Sequence, residues 1–260
     1  MADLTPLDDL RPDGLSAAFL RGVPAQTCLT ALALAGGDEI GSGKLLSPES
    51  SAALAINAFG WFLERPNALP PLPNLTDLDW PALKVDVERQ MRFPWSGGRH
   101  PWLDAAVETG TALIGIESKR FEPFRDTKTA TLSDAYDRDV WGEGMEPFTV
   151  MRNALRMGGA DFQYLDAVQL VKHAFGLVSE GRRTAKHPIL FYVFAEPAER
   201  AGQAITPEAL LAHRSEIDRF ADAVAGADVR FAACSYREWV STWTGAAAIH
   251  GQALLVRFAP

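Results

Sequence analysis

The stretch that most restricts how this chain can fold is Trp102 to Arg120, WLDAAVETGTALIGIESKR. Apolar and polar residues alternate through it and are interrupted once, at Gly110-Thr111, which predicts two short strands joined by a tight turn. Glycine at the first central position suits a type II′ turn, where positive φ costs it nothing. A turn centred there sets Asp104 opposite Glu117. It gathers Asp104, Ala106, Glu108, Leu113, Gly115, Glu117 and Lys119 on one face. Leu103, Ala105, Val107, Ile114, Ile116 and Ser118 take the other, a ready-made core surface. A slip of one residue would turn that apolar set to the wrong side, so the pattern itself supports the register.

Two facing acids repel unless a cation sits between them. Asp104 across from Glu117, with Lys119 two residues along, suits a divalent ion such as Mg²⁺, which takes hard oxygen ligands and keeps waters for chemistry. Lys119 would then hold or help deprotonate a metal-bound water. The plain alternative is a solvated strand face carrying cross-strand ion pairs worth ~0.2–1 kcal/mol each.

Composition narrows the setting. With 260 residues, 47% hydrophobic and 22% charged, the chain reads as an ordinary globular protein. No apolar run approaches the ~18 residues of a membrane helix. The acidic start MADLTPLDDLRPDG is unlike a secretory signal, and two distant cysteines, Cys28 and Cys234, suit a reducing cytoplasm as buried apolar residues. The net charge of −8 is awkward for nucleic-acid binding, which draws on Lys and Arg at phosphates. Arg89, Arg92, Arg99, Lys119, Arg120, Arg125 and Lys128 nevertheless concentrate near the hairpin.

Around the hairpin the chain divides into an irregular lead-in, 1–43, and one domain, 44–260. In the lead-in Cys28 to Ala35 can form a helix stopped by Gly36-Gly37. A helix is expected from Ser47, the N-cap, through Pro48 and Glu49 to about Glu64, with Ala52, Ile56, Phe59 and Leu63 inward. A proline-rich connector, 65–82, leads to strand 83–93, with Val85 and Val87 on one face and Asp86 and Glu88 on the other. His100, beside a proline, reads as structural. Residues 121–160 read as a polar and aromatic surface excursion. Asp161 should cap a helix to about Leu177, ended by Gly176 or Gly181, with Tyr164, Val168, Val171 and Phe175 as its core stripe. HPILFYVFAEP, 187–197, reads as an interior strand buried on both faces. Beyond it come a helix from Thr206, a strand from Val229 to Tyr236, a helical turn at REWV, and a last edge strand or helix from Gln252 to Phe258.

That αβββαβ order, with Asp on the second strand and Glu-x-Lys on the third, resembles the PD-(D/E)XK nuclease superfamily. KLLSPESSAALAINAFG, IGIESKRFEPF and QYLDAVQLVKHAFGL resemble a bacterial branch of restriction-endonuclease-like proteins; the likeness covers most of 44–196 and extends to SYREW at 235–239. Leu103, where the superfamily's pattern has proline, is a departure. The resemblance implies an α/β fold with a restriction-endonuclease-like core: a mixed central sheet flanked by helices, with C-terminal helix and strand additions. It implies Mg²⁺-dependent hydrolysis of DNA phosphodiester bonds, with Mn²⁺ able to substitute. Asp104 and Glu117, with the backbone carbonyl of Ser118, would ligate the metal, and Lys119 would position the attacking water. Glu88, Glu49, Gln169 and Lys172 stand as supporting candidates. DNA is the implied partner, a homodimer stays open, and no membrane is involved. Two other readings remain: an inactive nuclease fold serving as a nucleic-acid or protein-binding module, and a metal enzyme acting on another substrate.

Overall fold

The computed structural model describes residues 12–125 and 131–260; Pro6 and Lys128 lie outside them. The hairpin forms where the alternation places it. Strand β1, Lys84–Gln90, pairs antiparallel with β2, Trp102–Glu108, which pairs antiparallel with β3, Ala112–Lys119. The β2–β3 register has Ala105 opposite Ile116, Val107 opposite Ile114 and Glu108 opposite Leu113, as the expected turn centre requires.

The turn differs in kind. Gly110 does not adopt positive φ, so the turn is not type II′. Thr109 N–H donates to the Ala112 carbonyl, Ala112 N–H donates back to Thr109 Oγ1, and Asp79 accepts from the hydroxyls of Thr109 and Thr111. A Cβ on Gly110 would stand 2.4 Å from Asp79 Oδ2. Glycine is there because a carboxylate from the preceding connector closes the turn from outside, which no local pattern reveals.

The sheet continues with β4, His187–Phe194, and β5, Arg230–Ser235, each parallel to its neighbour, in the order β1-β2-β3-β4-β5. It is a mixed five-stranded sheet, and β4 is buried inside it, as its unbroken apolar run demands.

Helices cover both faces, giving an α/β three-layer arrangement. On one side pack α1, Ala25–Ala35, and α2, Ser51–Gly60, against a core of Ile114, Ile116, Phe59 and Phe191. Cys28 and Leu32 of α1 join the same core, so the lead-in packs with the sheet it precedes. The N-cap of α2 is Ser50, not Ser47; Ser50 accepts from Ala53 N–H, while Ser47 closes a 3₁₀ turn that Pro48 prevents from running on. From Ala53 to Gly60 this helix is buried all round rather than along one stripe.

The other face is covered by α3, Glu146–Arg156, α4, Ala167–Thr184, and α5, Pro207–Ala223. Two expectations fail here. The described part of the expected excursion, 121–125 and 131–160, is not a surface loop: Leu132, Tyr136, Trp141, Met145 and Phe148 bury in the core, and α3 lies within it. The cap expected at Asp161 lies five residues later, at Asp166, which accepts from Gln169 N–H. The helix runs through both glycines that were to end it. A Cβ at Gly176 would meet Met91 Cβ at 2.8 Å, and one at Gly181 the Lys186 carbonyl at 2.9 Å. Both glycines are contact points with the sheet, not stops. The inward set is Ala167, Leu170, Val171, Ala174, Phe175 and Leu177, with Tyr164 outside the helix.

After β5 come α6, Tyr236–Val240, closed by a capping box from Ser235 and Glu238, and α7, Gly245–Phe258, which settles the last segment as helix. Among the described residues no helix is long and apolar enough to cross a membrane.

Candidate functional site

Side-chain alternation along β1 and β2 breaks at one level of the sheet. Val85, Val87, Ala105 and Val107 face the α2 side, yet Met91 and Leu103 lie in the α4 core. Leu103 therefore does not share a face with Ala105, as strict alternation requires; a Cβ on Gly115 would stand 2.3 Å from its Cδ1. The break falls at Glu88, whose φ of 51° is left-handed, and at Asp104 beside it. A bulky non-glycine residue held there costs on the order of 1–3 kcal/mol and marks a spot that the surroundings over-determine.

The β2–β3 ladder opens at this level. The last paired residues are Ala105 and Ile116; beyond them Ser118 N–H donates to Asp104 Oδ2 at 2.6 Å instead of to backbone. N–H and C=O of an extended residue point to the same side, so the Ser118 carbonyl also faces the parting strands.

Glu117 and Lys119 project towards α4. Glu117 is 2% exposed, with Oε1 on the Lys119 ammonium and Oε2 3.0 Å from Nε2 of His173, on α4. Lys119 is 15% exposed and Asp104 half-buried.

The charges are strongly coupled. Burial pushes Asp104 well above the usual carboxylate range, and the Glu117 charge adds to it. Glu88 is pushed up to about 7, first by burial and then by Glu117. Burial acts the same way on Glu117, but Lys119 and His173 outweigh it and hold that carboxyl down to about 2. Burial would depress Lys119; Glu117, Asp104 and Glu122 together hold it above its ordinary value. One firm carboxylate, one ammonium and two proton-retaining acids therefore share the end of the sheet.

The expected residues divide clearly. Asp104, Glu117, Ser118 and Lys119 come together, and Glu88 joins them through its charge. Glu49 does not; it is paired with Arg200 at 3.0 Å and Arg125 at 3.9 Å. Gln169 lies one turn before His173 and serves the helix cap through its N–H, while burial lowers Lys172. Among the hairpin cations Arg89 is tied to Asp86, Glu108 and Glu180, and Arg120 is buried on the carbonyls of Pro48 and Phe258.

His173 and Glu122 are the residues that sequence reasoning did not place at the site. Glu122 accepts from Arg120 N–H at 2.9 Å and from Ser51 Oγ, beside Lys119. His173 had one signal: it falls among Leu170, Ala174 and Leu177 on the buried side of a helix, where an imidazole needs a polar partner. On the far face Ser118 Oγ meets Tyr236 OH at 2.7 Å, anchoring β3 to α6.

The arrangement defines an α/β protein whose opened central hairpin carries two acids and a lysine at one sheet end. The chain matches no family model, no curated protein and no solved structure.

Proposed function

We propose that this protein is a metal-dependent nuclease of the PD-(D/E)XK type, with a restriction-endonuclease-like core, hydrolysing DNA phosphodiester bonds. The observation that carries the reading is the parting of β2 and β3 at Asp104, which puts this carboxylate, Glu117, Lys119 and the Ser118 main chain around one gap. Among the described residues no three His, Cys, Asp or Glu form a ready metal cluster. The donor set fits a smaller requirement: Mg²⁺ is commonly held by one or two carboxylates, the remaining positions being water. Asp104 and Glu117, with the Ser118 carbonyl, supply hard oxygens; burial first, and the Glu117 charge second, raise the proton affinity of Asp104 and Glu88, and a bound cation would offset both.

A bound dication would lower the pKa of its water and neutralise phosphate charge. Lys119, kept protonated by its three acidic neighbours, would hold the attacking oxygen in place and offset charge developing on phosphorus. His173 positions Glu117 from behind, and Ser118 N–H fixes the rotation of Asp104.

A binding module that has kept this fold without turnover is the second reading. It is favoured by one observation: Glu117 already has one oxygen against the Lys119 ammonium and the other 3.0 Å from the His173 ring, neighbours that a metal would have to displace or share. Incubation with supercoiled plasmid and linear duplex in Mg²⁺, Mn²⁺ or EDTA separates the two. Cleavage abolished by EDTA, by Asp104→Asn and by Lys119→Ala supports the nuclease. Cleavage that survives both substitutions removes this site, and no cleavage of any DNA or RNA leaves the binding module.

A further inference from the structure

The loop between β1 and β2, FPWSGGRHP, leaves the sheet at the same end as Asp104 and Glu88. It folds against α4 around a cleft of about 670 Å³ lined by Arg92, Trp95, Gly97, Gly98, His100 and Arg183, with no acidic side chain among the described lining residues. In a chain of net charge −8 that is an unusual surface. Most cations around the hairpin are consumed internally, and Arg183 is paired with Glu180 while donating to the Arg92 carbonyl. Arg92 and Arg99 are exposed and form no ion pair among the described residues.

His100 adds direction to that charge. Its Nδ1 accepts the Phe93 N–H at 3.0 Å, so in the neutral ring the proton sits on Nε2, which becomes a donor. Phe93 stacks on Trp95 at 4.7 Å, and Arg138 lies 4.3 Å over the Trp95 ring, making the cleft wall a stiff aromatic and cationic stack. Gly97 and Gly98, at φ of 81° and 79°, stand with open space where a Cβ would be, so a ligand can approach the backbone closely.

We propose that this cleft grips the phosphate backbone of a nucleic-acid strand, with Arg92 on its wall and Arg99, exposed beside it on the same loop, as charged contacts and His100 Nε2–H as a donor. Delivery of that strand to Asp104 rests on the nuclease reading; the grip itself does not. Uncompensated positive charge gathered on this loop lets an acidic protein bind a polyanion.

The test is fluorescence anisotropy in EDTA with a labelled single strand of about 12 nucleotides and a duplex of equal length, over a series of salt concentrations. The wild type should bind at least one of them, with affinity falling as salt rises. Arg92→Ala/Arg99→Ala should weaken binding roughly tenfold at low salt and flatten the salt slope by about one to two counterions, with an unchanged melting temperature. Arg230→Ala, at the far edge of the sheet, should leave binding unchanged. Absence of binding by the wild type, or equal affinity and slope in the double variant, overturns the proposal. Cleavage measured in parallel with Mg²⁺ keeps the two readings apart. A binding loss in the double variant without cleavage by the wild type supports the cleft and removes the nuclease. Asp104-dependent cleavage with unaltered binding in the double variant removes the cleft alone.

Discussion

Glu117 is the residue on which the local electrostatics turn. It is nearly sealed from solvent, and a lone buried carboxylate would take up a proton rather than stay charged. Lys119 and His173 reverse that balance. Taking away one partner of a buried pair strands the other, so Lys119→Met should destabilise the fold by about 3–5 kcal/mol. Urea unfolding at pH 7 measures it, and Lys119→Arg should recover part of the loss. Glu88 has the opposite character. Its folded pKa near 7 exceeds its unfolded value, so the stability linked to its neutral form is complete below about pH 4.5 and is lost as pH rises through 7. Glu88→Gln should therefore match the wild type near pH 4 and exceed it at pH 8 by about 1–3 kcal/mol, allowing for solvent screening. Thermal melts at the two pH values check this; an equal gain at both would refute the assignment.

At the scale of elements, the strands were far more legible than the helix ends. The β2–β3 register follows from alternation, because a one-residue slip would bury Glu108 and expose Val107. The break at Glu88 and Asp104 was not legible, since nothing in KVDVERQ marks a left-handed residue. Gly115 shows what that break does: with Leu103 turned to the α4 side, no room remains for a methyl group. Gly115→Ala should cost about 1–3 kcal/mol through overpacking against Leu103 and Leu177. Combining it with Leu103→Ala should recover part of that cost, read as a coupling in a double-mutant cycle. The misplaced start of α4 and its two spanning glycines have a common cause. Asp161 and Asp166 are equally good caps by residue type, and the choice between them is made by Glu216. Its carboxylate accepts the N–H groups of Gln163, Tyr164 and Leu165 at 2.8 Å, holding that segment out of the helix.

Across the whole molecule, the proposed cation site has a consequence for stability. A dication that binds the folded state alone stabilises it in proportion to the logarithm of its concentration over Kd. Mg²⁺ in the millimolar range should raise the melting temperature of the wild type by about 2–4 °C, and that of Asp104→Asn by much less. Equal shifts in the two proteins would place any bound ion elsewhere. Arg120 gives the site its long-range support: from the end of β3 it reaches the carbonyls of Pro48, before α2, and Phe258, at the end of α7.

The amino-acid sequence by itself determined the strands, the β2–β3 register as far as Ala105 and Ile116, the interior position of β4 and the shared face of Glu117 and Lys119. All of these follow from periods of two in apolar residues, which local sterics and burial enforce without reference to distant chain. Only the tertiary structure decided what those residues became. Glu117 is held ionised by Lys119 together with a histidine 56 positions later, the turn glycine is set by a carboxylate 31 positions earlier, and the length of α4 by an acid from α5. These are contacts between elements, and charge, close approach and capping at such distances are set by how the layers pack.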